Sequence, residues 1–129
     1  MNFPADVRYT KQHAWVRVEG AEAVAGITDH AQKELGDIVF IESPKVGTAL
    51  TQGKPYGVVE SVKSVSDLIA PVSGSVARVN AELANAPEIV NKDPYGNGWI
   101  VAIANADPAQ LAALLTAEQY QAWLAELGQ

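Results

Sequence analysis

The sequence predicts a mainly β fold, a flattened barrel or sandwich with helices covering one end, and three observations carry that prediction. As far as about residue 105, short segments of alternating apolar and polar residues follow one another, the period-2 signature of half-buried strands. Glycine and proline break them at close intervals, as in Ser43-Pro44, Gly53-Lys54-Pro55, Pro71 with Gly74, and Pro94-Tyr95-Gly96-Asn97-Gly98. Beyond residue 105 the apolar spacing changes to a helical one. A chain of 129 residues that is 48% hydrophobic can bury a core as one domain, 1–129.

The elements follow in order. His13 to Glu19 alternates around Trp15, Val16 and Val18 until Gly20 breaks it, and Ala23 to Ile27 answers as the returning strand. Thr28 or Asp29 can cap a short helix near 28–35, which Gly36 ends in the left-handed conformation that glycine tolerates. Asp37 to Glu42 is a strand. In Glu60-Ser61-Val62-Lys63-Ser64-Val65-Ser66-Asp67 one lysine sits at the centre of a near-mirror pattern, with Val58-Val59 before it and Leu68-Ile69 after it. That pattern predicts a hairpin over about 57–70 with Val62-Lys63 at its tip. Ser75 to Val79 is a further strand, Asn80 to Asp93 is irregular, and Trp99 to Ala104 closes the β region. Helices follow over about 107–127: Asp107 is a good N-cap with Pro108 after it, and Thr116-x-x-Gln119 resembles a capping box ahead of Tyr120, Trp123, Leu124 and Leu127. Trp15, Phe40, Trp99 and Trp123 read as core or helix-docking aromatics.

Composition narrows the function classes. A net charge of −6 argues against nucleic acid or an anionic membrane as partner. With no cysteine there is no disulfide, thiol catalysis or thiolate metal site, and two histidines, His13 and His30, are too few for most zinc sites. No apolar run reaches membrane-spanning length, and the first residues lack a signal-type or transit-type pattern, so a cytoplasmic protein is the simplest expectation. No pairing of carboxylates, nucleophile-base arrangement or phosphate loop stands out, and no catalytic or metal-binding residue is expected. A catalytic lysine is normally buried so that its pKa falls. A lysine on a hairpin tip is instead offered outward, as a handle for another enzyme to modify, which points toward a carrier.

Taken together, His13-x-Trp15, Gly26-Ile27-Thr28-Asp29-His30-Ala31-Gln32, Leu35-Gly36-Asp37-Ile38-Val39-Phe40, Gly57-x-Val59-Glu60-Ser61-Val62-Lys63, Pro71-x-Ser73-Gly74 and Asp93-Pro94-Tyr95-x-x-Gly98-Trp99 make the chain similar, over essentially its whole length, to the H proteins of the glycine cleavage system. The resemblance implies a barrel-sandwich hybrid of two small antiparallel sheets, the lipoyl/biotinyl-domain-like fold, with helices added. It implies that Lys63 carries lipoate in amide linkage, attached by a lipoate ligase or an octanoyl transferase. The arm would shuttle the aminomethyl group of glycine catabolism among a pyridoxal-phosphate glycine decarboxylase, a tetrahydrofolate-dependent aminomethyltransferase and a flavin-containing dihydrolipoyl dehydrogenase. A lipoyl relay or donor protein for 2-oxoacid dehydrogenases would need the same hairpin. A biotinyl carrier is disfavoured because such carriers usually place methionines beside their lysine, whereas Val62 and Ser64 stand here.

The resemblance also implies roles around the lysine. Glu60, Ser61, Val62 and Gly74 become candidates for recognition by the attaching enzyme. In this family the loaded arm folds back into a cleft on the carrier; Asp67 is the candidate carboxylate for its ammonium, and Ile27, His30 and Leu35 are candidates for the wall. The sequence departs from the family at Ala14, where relatives commonly carry glutamate. That departure leaves Asp67 as the expected carboxylate.

Overall fold

A computed structural model describes residues 1–128. Two antiparallel sheets pack face to face. The larger runs in the order β1 (Arg8–Tyr9), β2 (Ala14–Glu19), β3 (Glu22–Ile27), β9 (Val101–Ala104), β8 (Gly74–Val79) and β5 (Ala49–Leu50). The smaller has three strands, β4 (Ile38–Glu42), β6 (Pro55–Ser61) and β7 (Val65–Ile69). Neither the two-residue strand β1 nor β5 was expected from the sequence, since two residues are too few to show a period. Between and after the strands lie α1 (Asp29–Leu35), a 3-10 turn at Ala81–Ala84, α2 (Ile89–Lys92), α3 (Pro108–Ala113) and α4 (Ala117–Glu126). Among the described residues no helix is long and apolar enough to cross a membrane.

Local chemistry explains the helix ends. Thr28, not Asp29, caps α1, its hydroxyl accepting from the Ala31 amide. Gly36 ends that helix at φ 79°, ψ −157°, a positive-φ but extended conformation rather than the helical left-handed one anticipated. Asp107 accepts from Ala109 and Gln110 with Pro108 in the first turn of α3, and Thr116 and Gln119 close a reciprocal capping box on α4.

Alternation along the large sheet separates two cores. Val16, Ala25, Val76, Val101 and Ile103 face the smaller sheet, where they meet Ile41, Val59 and Leu68, with Val72 from the connecting loop. Trp15, Val24 and Ala102 point the other way and join Val7, Tyr9, Tyr95, Tyr120 and Leu124. The last helix therefore seats on the outer face of the large sheet rather than on an end of the sandwich. Phe40 departs from expectation: it is 49% exposed, not core. The pairing of β4 with β6 shifts register between Ile38 and Phe40, and this bulge leaves both Val39 and Phe40 on the solvent side.

Candidate functional site

The hairpin of β6 and β7 ends in a two-residue tip, Val62-Lys63. The Ser61 amide donates to the Ser64 carbonyl at 2.8 Å. The Ser61 hydroxyl accepts from the amides of Lys63 and Ser64, at 3.3 and 3.1 Å. Neither tip residue has positive φ, so the turn is not one of the mirror-image types that two-residue hairpins usually adopt. The serine oxygen takes up the tip amides instead. The Val62 amide donates to the Asp37 carbonyl at 3.0 Å, tying the tip to the loop after α1.

That loop is itself fixed by a residue with no local signature. Asn91 of α2 accepts from the Ile38 amide at 2.9 Å, and its own amide donates to Gln32 Oε1 at 3.0 Å and to the Gly36 carbonyl at 2.9 Å. Lys63 is thus an exposed side chain on a backbone anchored from two sides. Its stem passes over Gly36: a methyl group there would stand 3.5 Å from Lys63 Cε. Around it, Phe40, Glu60 and Val65 form one cross-strand row on the outer face of the small sheet. Val62 and Val65 are 69% and 66% exposed, unusual for apolar side chains beside a turn.

Beside Gly36 opens a cleft of about 170 Å³ between α1 and the small sheet. Ile27, Ala31, Leu35 and Val59 supply apolar wall, while Gln12, His13, Glu34, Ser66 and Asp67 supply its polar members. Neither lysine nor arginine lines it. A larger groove of about 460 Å³ adjoins Thr10 to Gln12 and Ala113 to Leu115, but it contains Lys11 and no carboxylate. Among the described residues no cluster of three or more histidine, aspartate or glutamate side chains is placed to hold a metal.

Ile27, Leu35 and Asp67 come together in the cleft as the sequence suggested, but His30 does not line it. His30 is 4% exposed, its ring packs 4.7 Å from the His13 ring at a 38° tilt, and its Nε2 lies 3.8 Å from Glu34 Oε1. It shares a helix side with Glu34, four residues on, but is buried beside the His13 ring behind the wall that Ala31, Glu34 and Leu35 present. Gly74 lies on β8 in the other sheet, where a methyl group would come within 2.6 Å of Ile103 and 2.7 Å of the Ala104 carbonyl. Close packing alone accounts for that glycine. Glu60, Ser61 and Val62 do surround Lys63.

Sequence reading missed His13, Glu34 and Ser66 as cleft members; the i, i+3, i+4 spacing of Ala31, Glu34 and Leu35 was the available signal for the helical side. His13 adopts φ 66°, which bends the chain ahead of β2 and turns its ring toward α1 and α4. His13 Nδ1 lies 2.7 Å from the Tyr120 hydroxyl, which lies 2.9 Å from Thr28 Oγ1. Burial lowers the His13 pKa, and the adjacent His30 lowers it further, while Glu34 partly opposes both. Burial pushes the Tyr120 hydroxyl up to about 12, so it stays protonated and can donate to a neutral His13.

The family model described as glycine cleavage H-protein matches residues 7–127. A glycine cleavage system H protein of Magnetococcus marinus is 53% identical over 124 residues, 96% of this chain and 89% of that protein. One from Geobacillus kaustophilus is 53% identical over 126 residues, 98% of this chain and 99% of its own length. A crystal structure of a glycine cleavage system H protein from Mycobacterium marinum superposes with a TM-score of 0.85 at 39% identity, covering 95% of this chain and 98% of that one.

Proposed function

The chain belongs to the glycine cleavage H-protein family, a lipoyl carrier of the glycine cleavage system, and from that premise we propose that Lys63 is the residue that carries the lipoyl group. The observation that supports this most is the tip itself, an exposed lysine amine on a turn that Ser61 and Asp37 hold in place. A lysine that forms no ion pair among the described residues and stands clear of the core can present its nitrogen for acylation, and the turn offers an attaching enzyme a fixed shape to read. Glu60, Ser61 and Val62 form the recognition surface, Glu60 doing so between the exposed Phe40 and Val65. Gly74 belongs to that surface only through the sheet packing it permits.

When attached, the lipoyl disulfide supplies the electrophile that takes up the aminomethyl group and is reduced in doing so. This chain contributes position. Covalent bonds of about 1.5 Å along the lysine and the acyl chain give a reach on the order of a dozen Å, enough for the arm to enter a partner's site while the carrier stays outside. Its partners are the glycine decarboxylase, the aminomethyltransferase and the dihydrolipoyl dehydrogenase, with a lipoate ligase or octanoyl transferase for attachment. Chemistry resides in those enzymes, and this protein serves them as a carrier. An acyl chain on Lys63, whose stem already passes Gly36, would find apolar walls in the neighbouring cleft of Ile27 and Leu35, with Asp67 at its side.

Incubation with lipoate, ATP and a purified lipoate ligase, followed by intact-protein mass measurement, tests the assignment. The natural chain is expected to gain one lipoyl group and Lys63→Arg none. A gain retained in Lys63→Arg would place the attachment elsewhere.

A further inference from the structure

The chain's one Asn-Gly pair, Asn97-Gly98, lies in the turn between α2 and β9. In an open chain no residue after an asparagine favours ring closure more than glycine. It has no side chain to hinder its backbone nitrogen from attacking the side-chain carbonyl carbon before it. Here the two halves of the pair are placed unequally: Asn97 is exposed and Gly98 is buried. The Gly98 amide donates to the Asp93 carbonyl at 2.9 Å, and the Asn97 amide to Asp93 Oδ2 at 2.8 Å. The Asn97 carbonyl accepts from Nδ2 of the buried Asn80 at 2.8 Å. The peptide that must turn for the reaction is therefore held at both its nitrogen and its oxygen. Behind it stands α2. A methyl group on Gly98 would come within 2.7 Å of the Asp93 carbonyl and 2.9 Å of Val90 Cα, so the backbone packs directly on the helix that carries Asn91.

We infer that Asn97 is a site of spontaneous deamidation, restrained by Asp93 and Asn80, whose conversion loosens the platform under the hairpin tip. The step needs only water. The Gly98 nitrogen loses its proton to hydroxide and bonds to Asn97 Cγ; the bond from Cγ to Nδ2 breaks, and ammonia leaves with a proton taken from water. Water then opens the succinimide ring at either carbonyl. One opening leaves an aspartyl residue. The other leaves an isoaspartyl linkage, in which the chain runs through the former side chain and is longer by a methylene. Either product sets a new carboxylate close to that of Asp93, and the longer linkage cannot keep Gly98 against α2. Asn91 then loses its fixed seat, and with it the hold on Ile38 and Gly36.

The test ages the full-length chain in warm, mildly alkaline buffer, folded and in urea, and separates the aspartyl and isoaspartyl forms of position 97 by peptide mapping. The two hydrogen bonds on the reacting peptide predict a folded rate roughly ten- to a hundredfold below the unfolded one. Because both events need the Gly98 nitrogen freed, amide exchange at Gly98 should be slowed by a similar factor. Asp93→Ala is expected to raise the folded rate roughly three- to tenfold, and Asp93→Asn, which keeps an acceptor oxygen, to change it little. Equal rates folded and in urea, or a protected Gly98 amide while deamidation runs at the unfolded rate, would overturn the restraint. The isoaspartyl form, isolated from the aged chain by its added charge, should show faster amide exchange at Ile38 and Val62 than at Ile103. Exchange unchanged at Ile38 and Val62 would sink the link to the hairpin, whether or not Lys63 proves to be the lipoylated residue.

Discussion

The lysine hairpin and the aromatic cluster under α4 are built on opposite principles. Around Lys63 the side chains Val62, Val65 and Phe40 are exposed, and order comes from backbone hydrogen bonds through Ser61, Asp37 and Asn91. Under α4 the order comes from burial: Trp15, Tyr9 and Tyr120 are each 0% exposed, and the Tyr9 and Tyr120 rings stack at 4.8 Å. Polar atoms there are satisfied one by one, Trp15 Nε1 donating to the Pro94 carbonyl at 2.9 Å and the Tyr9 hydroxyl to the Pro4 carbonyl at 2.6 Å. A presented residue can be exchanged without disturbing a core, whereas a stacked aromatic cannot. Function and stability should then separate cleanly between the two regions.

Substitution at each extreme gives the largest effects. Lys63→Arg should abolish acylation while leaving the denaturant midpoint within about 0.5 kcal/mol of the natural chain, as for other exposed positions. Trp15→Ala should do the reverse. Removing a fully buried indole costs about 3–5 kcal/mol and also strands the Pro94 carbonyl. The fraction that remains folded should still accept a lipoyl group at the normal rate, measured by mass shift under native conditions. A stable Trp15→Ala variant that cannot be acylated would mean that the two regions are coupled.

Asn91 provides a smaller and more pointed test, because it links the helical layer to the hairpin. Asn91→Ala leaves the Ile38 amide and the Gly36 carbonyl without their side-chain partner. The expected cost is about 1–3 kcal/mol, with faster amide exchange at Ile38 and Val62 than at core positions such as Ile103. Acylation should slow as the platform under the tip loosens. If exchange rises uniformly instead, Asn91 supports the whole fold rather than the platform.

What could be read from the sequence divides along the same line. The hairpin, the caps at Thr28, Asp107 and Thr116, and the burial of Trp15 are local in the chain, each set by residues within a turn or a strand of one another. Asn91 bridges to Gln32, Gly36 and Ile38 from more than fifty positions away. Nothing in the irregular stretch from Asn80 to Asp93 marks it for that role. Phe40 was misjudged because a bulge breaks the alternation on which the reading depended. The His30 side chain was assigned to the wall from a resemblance, but it is buried against His13, a contact brought from outside the helix that the helical period does not announce. Glu34 carried no motif in the sequence and was not singled out. It lines the cleft beside two packed histidines, one of which, His13, has a positive φ that no local pattern announces.

The smallest expected effect concerns the border between the two regions, where His13 touches both the cleft and Tyr120. Burial, with His30 beside it, holds the His13 pKa below the ordinary histidine value near 6.5. Between its lowered folded value and that ordinary value, the unfolded chain binds a proton that the native chain does not. Stability therefore rises with pH through this window: the contribution is fully present above about pH 6.5 and is lost as pH falls toward the folded value. The groups facing His13 are His30 and Glu34 from α1 and Tyr120 from α4; Tyr120, held up at about 12, does not titrate here. Asparagine tolerates positive φ, so His13→Asn removes the titration with little backbone strain at the 66° position. Denaturant midpoints measured in steps from pH 7.5 to 5 should fall for the natural chain and stay flatter for His13→Asn, whatever the offset between the two curves. Parallel curves would move the acid sensitivity to another group and leave His13 as a packing residue between cleft and core.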